Sequence, residues 1–262
     1  MLSLDLTHKT ALVAGSTQGI GLASAQALAS LGASCVLIAR NETALKEAIQ
    51  TLSTAKGQNH SYLVADFSNA EQVKNVVKEF AAKNPIHILV NNTGGPPAGP
   101  ITAALPEAFL TAFNQHLICN HLITTEVIPS MKAAGYGRII NIVSTSVKIP
   151  LKNLGVSNTI RGAVASWAKT MANELGQFGI TVNNVLPGAT ATARLEGILS
   201  NKTAKAGISR EEAEQEMLQE IPAKRFGQPE EIGSVVAFLA SPAAAYVNGV
   251  SIPVDGGRTG SI

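Results

Sequence analysis

One property of this chain limits its fold more than any other: short β-branched, apolar runs alternate with helical stretches. The first third reads TALVAG, IGLASAQALASLG, SCVLIAR, TALKEAIQTLS, SYLVAD, AEQVKNVVKEFAAK and HILVNN in order. A strand, a helix and a second strand running the same way form a crossover, and a series of crossovers builds a parallel sheet. Runs such as Ile86 to Val90 and Ile139 to Val143 are apolar at consecutive positions, so both of their faces need covering by helices.

The second half continues the pattern. A helical region is predicted from about Pro106 to Ala134, then a strand at RIINIV, a helix around GAVASWAKTMANELG and a strand at ITVNNVL. A polar stretch from Ala193 to Gly227 follows. PEEIGSVVAFLAS then reads as a helix with Pro229 and two glutamates in its first turn, and GVSIPVDGG as the last strand. The expectation is an α/β fold with a seven-stranded parallel sheet. At 262 residues and 45% hydrophobic content, without repeat, linker or low-complexity tract, the chain suits one domain over 1–262.

A formal net charge of +2 and no clustered Lys/Arg stripe argue against nucleic acid as a partner. MLSLDLTHKTALVAG has Asp5 and His8 ahead of a short apolar run and no basic start, so it is not expected to be a signal peptide. Polar residues interrupt every apolar stretch before the roughly 18 residues that a membrane span needs. A soluble, cytoplasmic protein is expected. Cys35 and Cys119 lack zinc-ligand spacing, so no metal site is expected and both read as buried small apolar residues.

The strand-to-helix turn AGSTQGIG places Gly15, Gly19 and Gly21 where the backbone must turn tightly and approach a ligand without Cβ atoms in the way. The free N–H groups and dipole of the following helix favour a pyrophosphate. Placed after the first strand of a βαβ series, the turn indicates a Rossmann-type dinucleotide site.

Here the chain resembles the short-chain dehydrogenase/reductase family, whose turn pattern is TGxxxGxG, with Ala14 in place of the usual threonine. NNTGG at Asn91 to Gly95 resembles the family's NNAG segment, LPGATAT at Leu186 to Thr192 its PG motif, and VDGG at Val254 to Gly257 its C-terminal ending. The resemblance covers nearly the whole chain and points most closely to 3-oxoacyl-acyl-carrier-protein reductases. It implies cofactor contacts at Gly15, Ser16, Gly19, Ile20, Gly21, Asn92, Gly94, Pro187, Gly188, Thr190 and Thr192. Asp66 resembles the aspartate that contacts the adenine amino group, although a structural role is nearly as well supported; Ser68 is expected to cap the next helix. Arg40 follows the second strand, and Ala39 stands where an acidic residue would mark NAD. An arginine fork suits a 2′-phosphate, so the cofactor is expected to be NADP(H).

Ser144 ends the fifth strand, where the family keeps a serine that hydrogen-bonds the substrate carbonyl. The family's tyrosine, thirteen positions on, falls on Ser157, its lysine four further on Arg161, and its helix asparagine on His116. Of that tetrad only the serine is kept. Residues four apart share a helix face, so Ser157 and Arg161 still address one cleft. Arg161 can donate to ribose hydroxyls but stays protonated and cannot shuttle a proton. Ser157 is a far weaker acid than a phenol. His116 and Lys148 are the alternative donors, each with a plain structural reading beside it: a packed histidine and a solvated lysine.

TGGPPAGP either lines the cofactor cleft or is an ordinary connection, and 193–227 resembles the family's substrate lid. Two functions follow. One is an NADP(H)-dependent oxidoreductase acting on a small-molecule carbonyl or alcohol, an acyl thioester among the candidates, at an altered site; the other is a nucleotide-binding sensor or subunit partner that has lost turnover. Helices over 108–134 and 154–178 carry Val164, Trp167 and Met171 beyond what one sheet face should cover, which with the resemblance leads us to expect a homotetramer.

Overall fold

The computed structural model describes residues 2–261. Its strands are β1 (Thr10–Ala14), β2 (Ser34–Ala39), β3 (Ser61–Val64), β4 (Ile88–Asn91), β5 (Gly137–Ile142), β6 (Ile180–Pro187) and β7 (Ser251–Val254). They form one seven-stranded sheet in the order β3-β2-β1-β4-β5-β6-β7, parallel throughout. The chain builds outward from β1 to β3, then returns to place β4 on the other side of β1. That reversal opens a crevice at the carboxyl ends of β1 and β4, the place where this class of sheet binds its ligands.

The helices are α1 (Gly19–Ser30), α2 (Glu42–Gln50), α3 (Ala70–Ala81), α4 (Pro106–Phe113), α5 (Cys119–Ala134), α6 (Gly155–Leu175), α7 (Ala193–Ala206), α8 (Arg210–Gln219) and α9 (Pro229–Ala240). Strand periodicity divides the core in two. Ala11, Val13, Ile88 and Val90 face α1, α2 and α9. Leu12, Ala14 and Leu89 face α3, α5 and α6. Gly233 lets α9 lie close on α1, since a Cβ there would come within 2.8 Å of the Ala23 carbonyl oxygen. Among the described residues no helix is long and apolar enough to cross a membrane.

The helical region expected from about Pro106 to Ala134 is present, with a π-helical turn at Asn114–Ile118 between α4 and α5. Two local expectations need correction. Asn69, not Ser68, caps α3 by accepting from the Gln72 N–H at 3.0 Å. Val164 is 1% exposed inside the core and is unavailable to another subunit, whereas Trp167 and Met171 are partly buried. The polar stretch after β6 folds into α7 and α8. Ser209 and Glu212 form a reciprocal capping box at the start of α8, a signal visible in the S-x-x-E spacing.

Candidate active site

The glycine-rich turn is built as its residue types require. Gly15 and Gly19 have φ of 57° and 55°, where a side chain is strained. A Cβ on Gly15 would lie 2.6 Å from the Asn92 carbonyl oxygen, and one on Gly21 would collide with the Gly15 carbonyl. Asn92 sits in the same crevice, but its amide donates to the carbonyls of Ala14 (3.3 Å) and Gly15 (3.1 Å), so it shapes the turn from below. The Ser16 hydroxyl is buried without a protein partner. Gln18, the N-cap of α1, makes no capping bond and the first turn holds no acidic residue. The N–H groups of the first turn, around Ile20, are therefore open to an anion. A cradle that Cβ atoms would fill, beside an uncapped helix end, fits a dinucleotide.

Arg40 is exposed immediately after β2 and makes no ion pair among the described residues. Asp66, just beyond β3, accepts from the Ser68 N–H at 2.9 Å, and that bond, with Arg40 contributing last, holds its carboxyl below the usual range. Gly94 is exposed and has no neighbour within 4 Å of a notional Cβ.

Ser144 follows β5 in extended backbone, its Oγ accepting from the Ser146 N–H at 3.1 Å. Ser157 and Arg161 lie one turn apart on the buried side of α6. Arg161 is buried; its Nη1 donates to the Ile142 carbonyl at 2.9 Å, and burial, with Arg194 nearby, pushes its pKa down to about 10. It remains charged at neutral pH. His116 lies in the π-helical turn, 1% exposed, with Nδ1 2.6 Å from Thr93 Oγ1 and Nε2 buried without a partner. Burial, then Arg161 and Arg194, push its pKa down to about 3. His116 is thus a neutral, packed imidazole, the structural one of its two readings. Lys148 is exposed just past the short helix that follows Ser144.

Pro187 ends β6 and leads into Gly188, where a Cβ would come within 2.7 Å of the Asp255 backbone. Thr190 pairs with Gly227, bringing together the two ends of the segment that carries α7 and α8. Thr192 folds back so that its Cγ2 would sit 3.2 Å from a Cβ on Gly19, which closes the crevice over the turn. No motif marks Arg194 in the sequence, yet it reaches from the first turn of α7 to the carbonyls of Gly95 (3.4 Å) and Pro96 (2.7 Å). Gly95 and Pro96 of TGGPPAGP are thus tied to the first turn of α7. A separate concavity of about 460 Å³, among Ile101, Leu151, Lys152, Gly155, Asn158 and Thr159, opens on a different face of α6 from Ser157 and is not this cleft.

A doubly wound sheet with a glycine-cradled crevice and a polar cleft at its strand ends defines a dinucleotide-binding oxidoreductase architecture. A family model described as Enoyl-(Acyl carrier protein) reductase matches residues 14–259. The chain is 34% identical over 256 residues to a 3-oxoacyl-[acyl-carrier-protein] reductase of Synechocystis sp., covering 96% of this chain and 97% of that protein. It is 31% identical over 260 residues to the NADPH-dependent reductase BacG of Bacillus subtilis, covering 98% and 100%. The crystal structure of L-sorbose reductase from Gluconobacter frateurii complexed with NADPH and L-sorbose superposes with a TM-score of 0.92 at 30% identity, covering 100% of both chains. The chain belongs to the short-chain dehydrogenase/reductase family.

Proposed function

We propose that the chain is an NADP(H)-dependent oxidoreductase that interconverts a small-molecule carbonyl and its alcohol at an altered active site. The observation that carries this reading is the pairing of an uncapped, glycine-cradled α1 N-terminus with an unpaired Arg40 at the end of β2. The first suits a pyrophosphate and the second a 2′-phosphate. Similarity to reductases named as NADPH-dependent supports the same cofactor.

Bound NADPH would supply the hydride. The protein's part is to hold, orient and protonate. Gly15, Ser16, Gly19, Ile20 and Gly21 would hold the pyrophosphate, Arg40 the 2′-phosphate and Asp66 the adenine edge, with Pro187, Gly188, Thr190 and Thr192 forming the far wall and Gly94 leaving room on the near one. Ser144 would donate to the carbonyl oxygen and so stabilise charge as it develops there. Arg161 has donors left after its bond to Ile142 and would hold the ribose. The proton reaching the new alkoxide has no phenol to come from, since Ser157 and Arg161 occupy the positions of the family's tyrosine and lysine. It would pass through Ser157 or through water beside it. Neutral His116 takes part as a hydrogen-bonding group linked to Thr93.

The alternative is a nucleotide sensor that binds without turnover. Purified protein assayed for NADPH oxidation across ketones, diketones and 3-oxoacyl thioesters, beside a binding titration, separates the two. We also read the assembly as a homotetramer, supported by exposed Leu105, Leu110, Phe113 and Phe178 on the helices and loops around α4 to α6. A monomeric mass by light scattering at micromolar concentration would contradict it.

A further inference from the structure

Two arginines converge on one point of the cleft. A Cβ built on Gly95 would lie 3.4 Å from Arg194 Nη2 and 3.8 Å from Arg161 Nη2. Among the described residues neither arginine forms an ion pair. Arg161 is 9% exposed and its one protein bond is to a neutral carbonyl. Removing a guanidinium from water without a counter-charge is costly, and such a cost persists where a ligand later offsets it.

The surroundings keep the charge uncompensated. Glu196, the nearest acid along α7, is held away by a bidentate pair with Arg210 at 2.7 and 3.0 Å. Thr192, the N-cap of α7, makes no capping bond, so the helix adds a further positive end beside Arg194. The His116 ring, whose Nε2 is buried without a partner, lies near enough to feel both charges. Arg194 likewise meets no counter-charge. Its two bonds go to neutral carbonyls, 2.7 Å to Pro96 and 3.4 Å to Gly95, and a carboxylate would add the opposite charge and a two-oxygen match to the guanidinium fork.

We propose that Arg194, backed by Arg161, clamps an anionic group on the substrate, which makes the substrate a keto acid or the matching hydroxy acid. This rests on the oxidoreductase reading above. The shared chemistry is an anion facing a guanidinium fork, and the anion could belong to the substrate or to the cofactor's pyrophosphate.

The test compares α-, β- and δ-keto acids with their methyl esters, using NADPH and the full-length protein, in the natural sequence and in Arg194→Ala and Arg194→Lys. The acid-to-ester ratio of kcat/KM should exceed about tenfold, fall at least about tenfold in Arg194→Ala and recover in part in Arg194→Lys, without a matching loss of NADPH affinity. Equal rates for acid and ester would overturn the proposal. So would an Arg194→Ala variant that loses NADPH affinity in step with acid turnover, since the clamp would then serve the cofactor. If no carbonyl is turned over, the oxidoreductase reading fails but the clamp is still decided. Calorimetric titration of the same acids into the protein, with and without NADP+, should give saturable binding that Arg194→Ala removes; no binding would overturn the clamp too.

Discussion

Arg161 Nη1 donates to the carbonyl oxygen of Ile142 at 2.9 Å, tying the buried face of α6 to the end of β5 two residues before Ser144. The bond fixes where the guanidinium stands relative to Ser144. The bond is buried, so it occupies one guanidinium donor away from solvent.

If Ser157 stands where a phenolic acid would otherwise act, restoring one should raise turnover. The double change Ser157→Tyr with Arg161→Lys is expected to increase kcat on a generic diketone by at least about tenfold, because a placed general acid contributes about 10² to 10⁴ in rate. Steady-state kinetics of both proteins check this. A fast natural enzyme abolished by the change would mean that the serine and arginine form an evolved site for other chemistry.

Arg40→Ala should weaken NADPH binding by about 10- to 100-fold and leave NADH binding as it was, the loss expected for about 1.5 to 3 kcal/mol of hydrogen bonding to a charged group. Calorimetry with the two cofactors reads the difference. Equal losses for both would remove the 2′-phosphate from the account.

Gly21→Ala puts a Cβ against the Gly15 carbonyl, while Gly94→Ala meets nothing within 4 Å. The first should lose about 1 to 3 kcal/mol of stability, as overpacking does, together with most cofactor affinity. The second should keep its stability. Equal melting temperatures would contradict the packed turn.

The contrast between these glycines shows what the sequence could and could not convey. Seven strands were legible because parallel strands are apolar on both faces, and the turn was legible because three glycines crowd a strand-to-helix junction. The capping of α3 was misplaced because Ser68 and Asn69 are both good caps one residue apart, and only backbone position chooses between them. Helices α7 and α8 hid in a stretch that is polar nearly all round. Arg194 meets Gly95 across 99 residues of chain, which no local pattern encodes. His116 could be read as a proton donor or as a packed histidine, and burial among distant elements, which residue type does not encode, decides for the packed one.

His116 gives a signed pH effect. Its folded pKa of about 3 lies below the unfolded 6.5, so as pH falls through about 6.5 the unfolded chain binds a proton that the folded chain refuses. Stability should then fall by about 1.4 kcal/mol per pH unit for this one group, down toward the folded value. His87, also lowered by burial, adds in the same direction. Thermal melts of the natural protein and His116→Asn should show a shallower acid slope in the variant. Identical slopes would contradict a buried neutral imidazole.

The central claim is that this crevice binds NADPH and passes its hydride to a carbonyl despite having serine and arginine at Ser157 and Arg161. The most direct measurement is single-turnover oxidation of protein-bound NADPH, followed by nicotinamide absorbance, on adding a panel of keto acids, ketones and 3-oxoacyl thioesters, with NADH run in parallel. The account predicts stoichiometric oxidation of NADPH by at least one carbonyl, with NADH bound more weakly and used less. Tight NADPH binding with no oxidation by any of them would contradict it and identify the chain as a nucleotide sensor.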